Sequence, residues 1–363
     1  MTIAKVVTIA CWLIAATVLI GLAIWFLTGT VFGIGSDIWS GGILSGISIG
    51  SWEVLTGSYN VVGTYNVETT GVSSLKIDWI SNDVTVKPYD GDKIQITEFA
   101  QRELRDNEKL HLSTSGKTLT IKFFENGKIG RMPRKKLEVL IPHTLSGEID
   151  NLSVDSVSGT LLVEGIDANT INVDTTSGSI QMSNITAQAF GAESTSGAIT
   201  ITYTRSGNMK VESISGAIRV SDSSARTLNC DTTSGSVNVS GAYESTRFHS
   251  ISGRLSLDNQ ASGSILDAET TSGSMEMSGA FDRVITESIS GKISVKSRIV
   301  PEALKAETTS GSIDVTVPDE GTITVYHSAV SGRFSSDVSV IMQGRGAQFE
   351  FSSISGSTKI LAL

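Results

Sequence analysis

From Asp150 to Leu363, apolar and polar positions recur in step with a Ser-Gly pair. The pairs begin at Ser158, Ser177, Ser196, Ser215, Ser234, Ser252, Ser272, Ser290, Ser310, Ser331 and Ser355, at nearly even intervals. Counted back from the Ser, apolar residues stand at four (Val154, Val173, Ala192, Val211, Cys230, Phe248, Ala268) and at six (Leu152, Ile171, Phe190, Met209, Leu228). Counted forward, they stand at three (Leu161, Ile180, Ile199, Ile218, Val237) and at five (Val163, Met182, Ile201, Val220, Val239). A spacing of two within each segment is the strand period. The inward parity is even before Ser-Gly and odd after it, which one straight strand cannot achieve. Each repeat therefore predicts two short strands joined by a bend, followed by a loop back, with Gly supplying the backbone freedom for the bend.

One such repeat cannot bury its apolar face alone. Stacked copies place equivalent residues about 4.8 Å apart and make a continuous core. A period of about 20 residues, with no connection long enough for a crossover helix, predicts an all-β parallel β-solenoid, or a β-roll of the same connectivity. Eleven rungs would run roughly 50 Å at that spacing. The last two intervals lengthen, Phe349 and Phe351 fall at apolar columns, and Ile360 to Leu363 ends the chain without a polar cap. The final rung is expected either to fold over the core or to offer its edge to a partner.

Upstream the pattern changes. Leu75 to Trp79, Val84 to Val86, Ile94 to Ile96, Leu110 to Leu112, Leu119 to Ile121 and Leu137 to Ile141 alternate as strands, but at irregular lengths. Residues 65–149 read as an N-terminal β cap, continuous with the solenoid at 150–363, because a stacked array must close its first end against water. Before the cap, 29–64 is a Gly/Ser-rich juxtamembrane linker. Residues 1–28 contain Val6 to Leu27, a run without a single charged residue. That run is long enough to cross a bilayer as a helix and longer than the core of a cleaved signal peptide. Trp12, Trp25 and Phe26 sit towards its ends. Lys5 precedes it, and no Lys or Arg follows before Lys76. The expectation is a single-pass anchor in the cell membrane with a cytoplasmic N-terminus and extracytoplasmic repeats.

The net charge of −9 argues against a nucleic-acid partner. Cys11 lies in the anchor run and Cys230 in a core column, which makes them poor disulfide partners. Three residues before the Ser stand Asp155, Asp174, Glu193, Glu212, Asp231, His249, Glu269, Glu287 and Glu307, eight of nine being carboxylates. In register these would form a row in which each adjacent pair costs about 0.8 kcal/mol at the dielectric of water. Side chains can splay into solvent, or Lys210, Arg247 and Lys305 can screen them. A divalent cation, calcium by its preference for oxygen, can instead bridge Asp174, Glu193, Glu212 and Asp231. Two before the Ser, the same nine copies carry Ser or Thr. Lys128, Arg131, Arg134, Lys135 and Lys136 form a basic cluster at an expected hairpin tip, either a solvated loop or a contact for anionic phospholipid or wall polymer. His111, His143, His249 and His327 share no offset, and no nucleophile elbow, phosphate loop or dinucleotide fingerprint occurs. No catalytic residue and no cofactor is expected.

The rungs Val173 to Ile180 and Val211 to Ile218, preceded by alternating strands ending at Leu137 to Pro142, resemble the bacterial putative-adhesin β-strand-repeat family of unknown function, the toastrack domain. The resemblance runs from Tyr65 to Leu363. It implies a solenoid-like fold on the outer side of the membrane, relatives beside envelope-stress systems, and no catalytic residues to carry over. The functional expectation is a non-catalytic membrane-anchored scaffold for adhesion or envelope-stress-associated interaction, its partners being an envelope protein or a cell-surface glycan. The alternative is a cation-dependent carbohydrate-binding or polysaccharide-processing solenoid that uses the acidic column.

Overall fold

The computed structural model describes residues 58–125, 132–342 and 344–363, all of which belong to one compact unit. Apart from a single 3-10 turn at Asp106–Glu108, their regular structure is strand. The expected anchor at Val6 to Leu27 lies outside the described residues. Among the described residues no helix is long and apolar enough to cross a membrane.

One rung shows how the repeat folds. Strand Asp167–Thr175 pairs in parallel with Ile149–Ser156 on one side and Thr186–Ser194 on the other. Strand Ser179–Ser183 pairs with Thr160–Glu164 and Ile199–Thr202. The register is one repeat per rung, so Val154, Val173, Ala192, Val211, Cys230 and Phe248 lie in a single file, all buried. β-Branched and other apolar side chains at alternate positions pack against their own kind above and below. The interior is therefore a set of continuous apolar ladders.

The return path is itself ordered. Gly165, Asn184, Tyr203 and Asp222, at equivalent places in four successive rungs, adopt φ of 66°, 54°, 50° and 50°. A left-handed residue makes this second bend, and the chain re-enters the next rung directly. Strands Ile218–Thr232 and Val237–Ser250 run through it without interruption. A softer kink follows, where burial slips in parity: Ala168 and Ile171 are both buried although three apart. The expected loop back is thus a short paired segment.

Both ends are threaded out of order. Ser74–Asp78 and Val84–Tyr89 form a rung that stacks directly on the first Ser-Gly rung. Thr118–Lys122 and Lys135–Pro142 stack on its far side. Three antiparallel strands then close this end. His111–Ser115 lies on Thr118–Lys122, Lys93–Ala100 on Lys135–Pro142, and Asn60–Glu68 on Lys93–Ala100. The strand that begins at Asn60 starts inside the segment expected to be linker.

At the other end the final rung, Ala347–Ser355 with Thr358–Ala362, inserts between its two predecessors. It pairs with Ala303–Ser310 and Ile313–Val317 on one side, and with Ile323–Ser331 and Phe334–Ser336 on the other. The expectation that the chain's last strands form the outermost rung is therefore corrected. The core columns explain the order. The last rung brings Phe349 and Phe351, which are fully buried and need cover on both sides. The preceding rung brings Val325 and His327 to the equivalent register, a smaller side chain and a half-buried polar one that tolerate the end of the stack better than two phenylalanines.

Candidate functional site

The Ser-Gly corner is the first candidate, and its chemistry is structural. The Ser or Thr two places before each Ser points inward and is buried from Ser156 to Thr308. Its hydroxyl accepts the N–H of the corner glycine: Thr175 from Gly178 at 3.1 Å, Ser194 from Gly197 at 2.8 Å, Ser213 from Gly216 at 2.8 Å, Thr232 from Gly235 at 3.0 Å. The Ser of the pair donates its hydroxyl to a carbonyl one rung back, as Ser177 to Val157 (3.0 Å) and Ser215 to Thr195 (3.3 Å). The glycines form a spine. A Cβ on Gly178, Gly197, Gly216, Gly235 or Gly253 would fall on the preceding glycine's carbonyl oxygen, closer than any real Cβ contact. None of these five has a positive φ. At these five the corner glycine serves close approach between rungs rather than the expected special backbone conformation, which is found at Gly159 (φ 104°) and Gly356 (φ 148°).

The acidic column is the second candidate. The register places Asp155, Asp174, Glu193, Glu212, Asp231, His249, Glu269, Glu287 and Glu307 side by side on consecutive rungs. The row continues one rung further, to Asp78, which pairs with Asp155. Sequence reading missed Asp78, although Leu75, Ile77 and Asp78 repeat the spacing of Leu152, Val154 and Asp155. Two of the three screening cations behave as expected. Lys210 lies 3.3 Å from Glu193 and 2.8 Å from Glu212. Lys305 lies 3.5 Å from Glu287 and 3.1 Å from Glu307. Arg247 turns instead to Asp267 at 2.9 Å, and Lys76 reaches Asp78 at 3.4 Å.

The proposed metal residues Asp174, Glu193, Glu212 and Asp231 are thus brought together, but as a line. Among the described residues no three His, Cys, Asp or Glu groups converge to hold a metal ion. The Lys210 ammonium occupies the bridging position between Glu193 and Glu212 that a divalent ion would take. Burial pushes the Asp155, Asp174 and Asp231 carboxyls above the usual range, and adjacent carboxylates push further. Asp174, between Asp155 and Glu193, is raised to about 7.

A family profile described as Toastrack DUF4097 matches residues 72–278 and again 224–359. The chain belongs to the toastrack family. The resemblance carried by its rung motif is borne out. Solved structures of similar course include one named "putative adhesin" from Parabacteroides distasonis ATCC 8503, at 12% identity over 84% of this chain and 98% of that one, TM-score 0.40. Another, named "putative lipid binding protein" from the same strain, has 16% identity over 86% and 99%, TM-score 0.38. A third, named "putative adhesin" from Bacteroides fragilis NCTC 9343, has 12% identity over 84% and 97%, TM-score 0.27. No curated protein matches the chain.

Among the described residues of this toastrack chain, Arg134, Lys135 and Lys136 do not form a basic surface patch. Lys128 and Arg131 lie outside the described residues. Arg134 is half-buried and Lys136 pairs with Asp83 at 2.7 Å. Lys135 is wholly buried and faces Glu98 at 2.7 Å. The alternation of Lys135–Pro142 explains this: Lys135 shares parity with Leu137, Val139 and Ile141, which all point into the core. It is removed from any lipid or wall-polymer contact.

The toastrack row carries a pH dependence. Asp174 faces Asp155 and Glu193 on the adjoining rungs, with Lys210 beyond Glu193 and the Asp78–Lys76 pair beyond Asp155. Its folded pKa lies above its unfolded value, so the folded state binds more protons between about pH 4 and 7. The resulting stability is present in acid and lost as pH rises through about 7. Melting temperature should fall by a few degrees from pH 5 to pH 8. Asp174→Asn should raise it at pH 8 and leave it little changed at pH 5. A pH profile identical in wild type and variant would remove the row as its origin.

Proposed function

We propose that this chain is a non-catalytic scaffold held in the cell membrane by Val6 to Leu27. It displays its rungs outside the cytoplasm for adhesion or envelope-stress-associated binding. One observation carries this reading. Eleven corner glycines stack from Gly159 through Gly311 to Gly356 and Gly332, each against its neighbour's backbone, with no insertion splitting the series. A glycan-cleaving solenoid places two carboxyl groups across a sugar, on opposite sides of the scissile bond. Here the carboxylates lie along one face of consecutive strands, where they can line a bound polymer but cannot flank a bond. Asp78, Asp155, Asp174 and their successors offer such a polymer, or a protein, a straight polar track.

The test uses the full chain with a C-terminal tag. Protease added to intact cells should remove the tag, and purified chain should retain cell-surface polysaccharide without releasing new reducing ends. A tag protected until lysis would overturn the placement, and product release would overturn the non-catalytic reading. Millimolar calcium should leave the melt unchanged. A bound ion at 100 times its dissociation constant would add about 2.7 kcal/mol, and that rise would restore the cation-dependent alternative.

A further inference from the structure

The two ends of the stack are finished differently. At the first end the parallel run is closed by antiparallel strands, and the outermost pair carries the charged couple Lys93–Glu68. At the second end strand Ile323–Ser331 has Ala347–Ser355 on its inner side. Its outer side is met only at Ile323 and Thr324, by Val340 and Ile341. Among the described residues, Val325 to Ser331 has no strand along its outer edge. Natural edges are usually blunted by charge, Pro or a bulge. This one reads Val-Tyr-His-Ser-Ala-Val-Ser and has none of them. It also presents Tyr326, 49% exposed, and Val330, 82% exposed.

We propose that this edge is a self-recognition surface, on which strand Ile323–Ser331 pairs antiparallel with the same strand of a second copy about a two-fold axis at Ser328. Three observations select that occupant and register. Head-to-tail stacking would set this uncharged edge against Asn60–Glu68, an antiparallel strand that carries the Glu68–Lys93 ion pair and does not continue the parallel rungs. The same edge of another copy is uncharged as well, and a two-fold contact closes on itself. The chain carries −9 overall, yet this edge has no charge, so two copies meet where repulsion is least. Finally, the pattern is symmetric about Ser328. Antiparallel pairing there sets Tyr326 opposite Val330 twice, on the face shared with Ser328, and His327 opposite Ala329 on the other. Aromatic against β-branched is a favourable cross-strand pair. A centre at His327 or Ala329 would set Tyr326 or Val330 against Ser328 and leave the other apolar side chain beyond the pair.

The inference deepens the proposed function and rests on it for one step, the direction the edge faces. If the first end sits at the membrane, the eleven Ser-Gly rungs and the two before them place this edge roughly 60 Å out at the spacing of parallel strands. There it would meet its counterpart on a neighbouring cell. The pairing itself does not depend on the anchor.

The experiment is disulfide trapping of the detergent-solubilised full chain in a Cys11→Ser background. Cys230 is fully buried and does not compete. Opposed residues in antiparallel strands have Cα atoms about 4.5–5.5 Å apart, within disulfide reach. Under mild copper-phenanthroline oxidation Ser328→Cys should convert most of the chain to a covalent dimer. Asn238→Cys, exposed on a lateral strand, should not. Adding Val330→Lys to Ser328→Cys should reduce the dimer at least tenfold, without a change in melting temperature. Absence of dimer from Ser328→Cys, equal dimer from Asn238→Cys, or an adduct of any mass other than twice the chain would overturn the proposal. Cells displaying the wild type should clump and those displaying Val330→Lys should not. Trapping without clumping would sink the adhesion reading and keep the pairing. Clumping that survives in Val330→Lys, with no trapping, would do the reverse.

Discussion

Gly216→Ala should lower the melting temperature by about 6–12 °C, from a loss near 3 kcal/mol at 2–4 °C per kcal/mol for a domain of this size. The added methyl has nowhere to go. It would overlap the Gly197 carbonyl oxygen and crowd the Ser213 hydroxyl at 2.9 Å. Neither neighbour is a movable side-chain tip: one is backbone, and the other is buried and already accepts the Gly216 N–H at 2.8 Å. Relief requires prising two rungs apart, which stretches the Ser215 N–H to Thr195 bond (3.1 Å) and loosens the ladders on both sides. Gly216→Asn separates this account from a conformational one. Asn tolerates the left-handed region better than Ala, so a glycine needed for its dihedral would be partly replaced by Asn. A glycine needed for its missing side chain would not. Asn should therefore be at least as damaging as Ala. Ser215→Ala, which removes one exposed hydroxyl bond to Thr195, should cost about 1 kcal/mol or less. An Asn variant as stable as wild type would refute the spine.

How much of this was legible in the sequence differs by feature. The ladders were, because strand period and repeat period act together: Val154, Val173 and Ala192 have to coincide once the rungs stack. The acidic row was legible for the same reason. Its limits were less so, since Asp78 belongs to a rung that lacks the Ser-Gly signature and stands 77 residues before Asp155 in the sequence, although the two are paired in the fold. The reason for the corner glycine was misread because a bend and a close approach demand the same residue and differ only in φ. The threading of the ends could not be read at all. Insertion of Ala347–Ser355 between two earlier rungs leaves every local pattern unchanged and is decided by which rung carries the larger core residues, Phe349 and Phe351 against Val325 and His327. Lys135 was misplaced because five basic residues so close together suggest a solvated loop. Yet the alternation of Lys135, Leu137, Val139 and Ile141 was already in the sequence.

That buried lysine gives the second large effect. Lys135 lies between the rings of Trp79 and Phe123, 5.1 and 4.0 Å from their centroids, and donates to the carbonyl oxygens of Glu108 (2.7 Å) and Phe123. Its ion pair with Glu98 is wholly buried on both sides, and Glu98 also accepts the Leu110 N–H at 3.0 Å. The pair thus ties Lys93–Ala100 and Lys135–Pro142 to the loop that leads into His111–Ser115, and so holds the closed end together. Lys135→Met should cost about 3–5 kcal/mol by leaving the Glu98 carboxylate buried and alone. Lys135→Met with Glu98→Leu should recover much of that loss, because no lone charge remains, although the Leu110 N–H then lacks its acceptor. Titration distinguishes a charge effect from simple repacking. Burial pushes the Lys135 ammonium down to about 8, against the pull of Glu98. Between about pH 8 and 10.5 the unfolded chain holds the proton that the folded chain has released, so this group adds stability as pH rises through that window and withdraws it as pH falls. The contribution is at most about 3 kcal/mol. It lies above the range in which Asp174 acts, so the two can be read from one series of melts. Wild type should gain stability between pH 8 and 10 relative to Lys135→Met. Parallel curves for the two proteins would show that Lys135 keeps its proton in the core across that window, held there by Glu98, so that burial does not lower its titration.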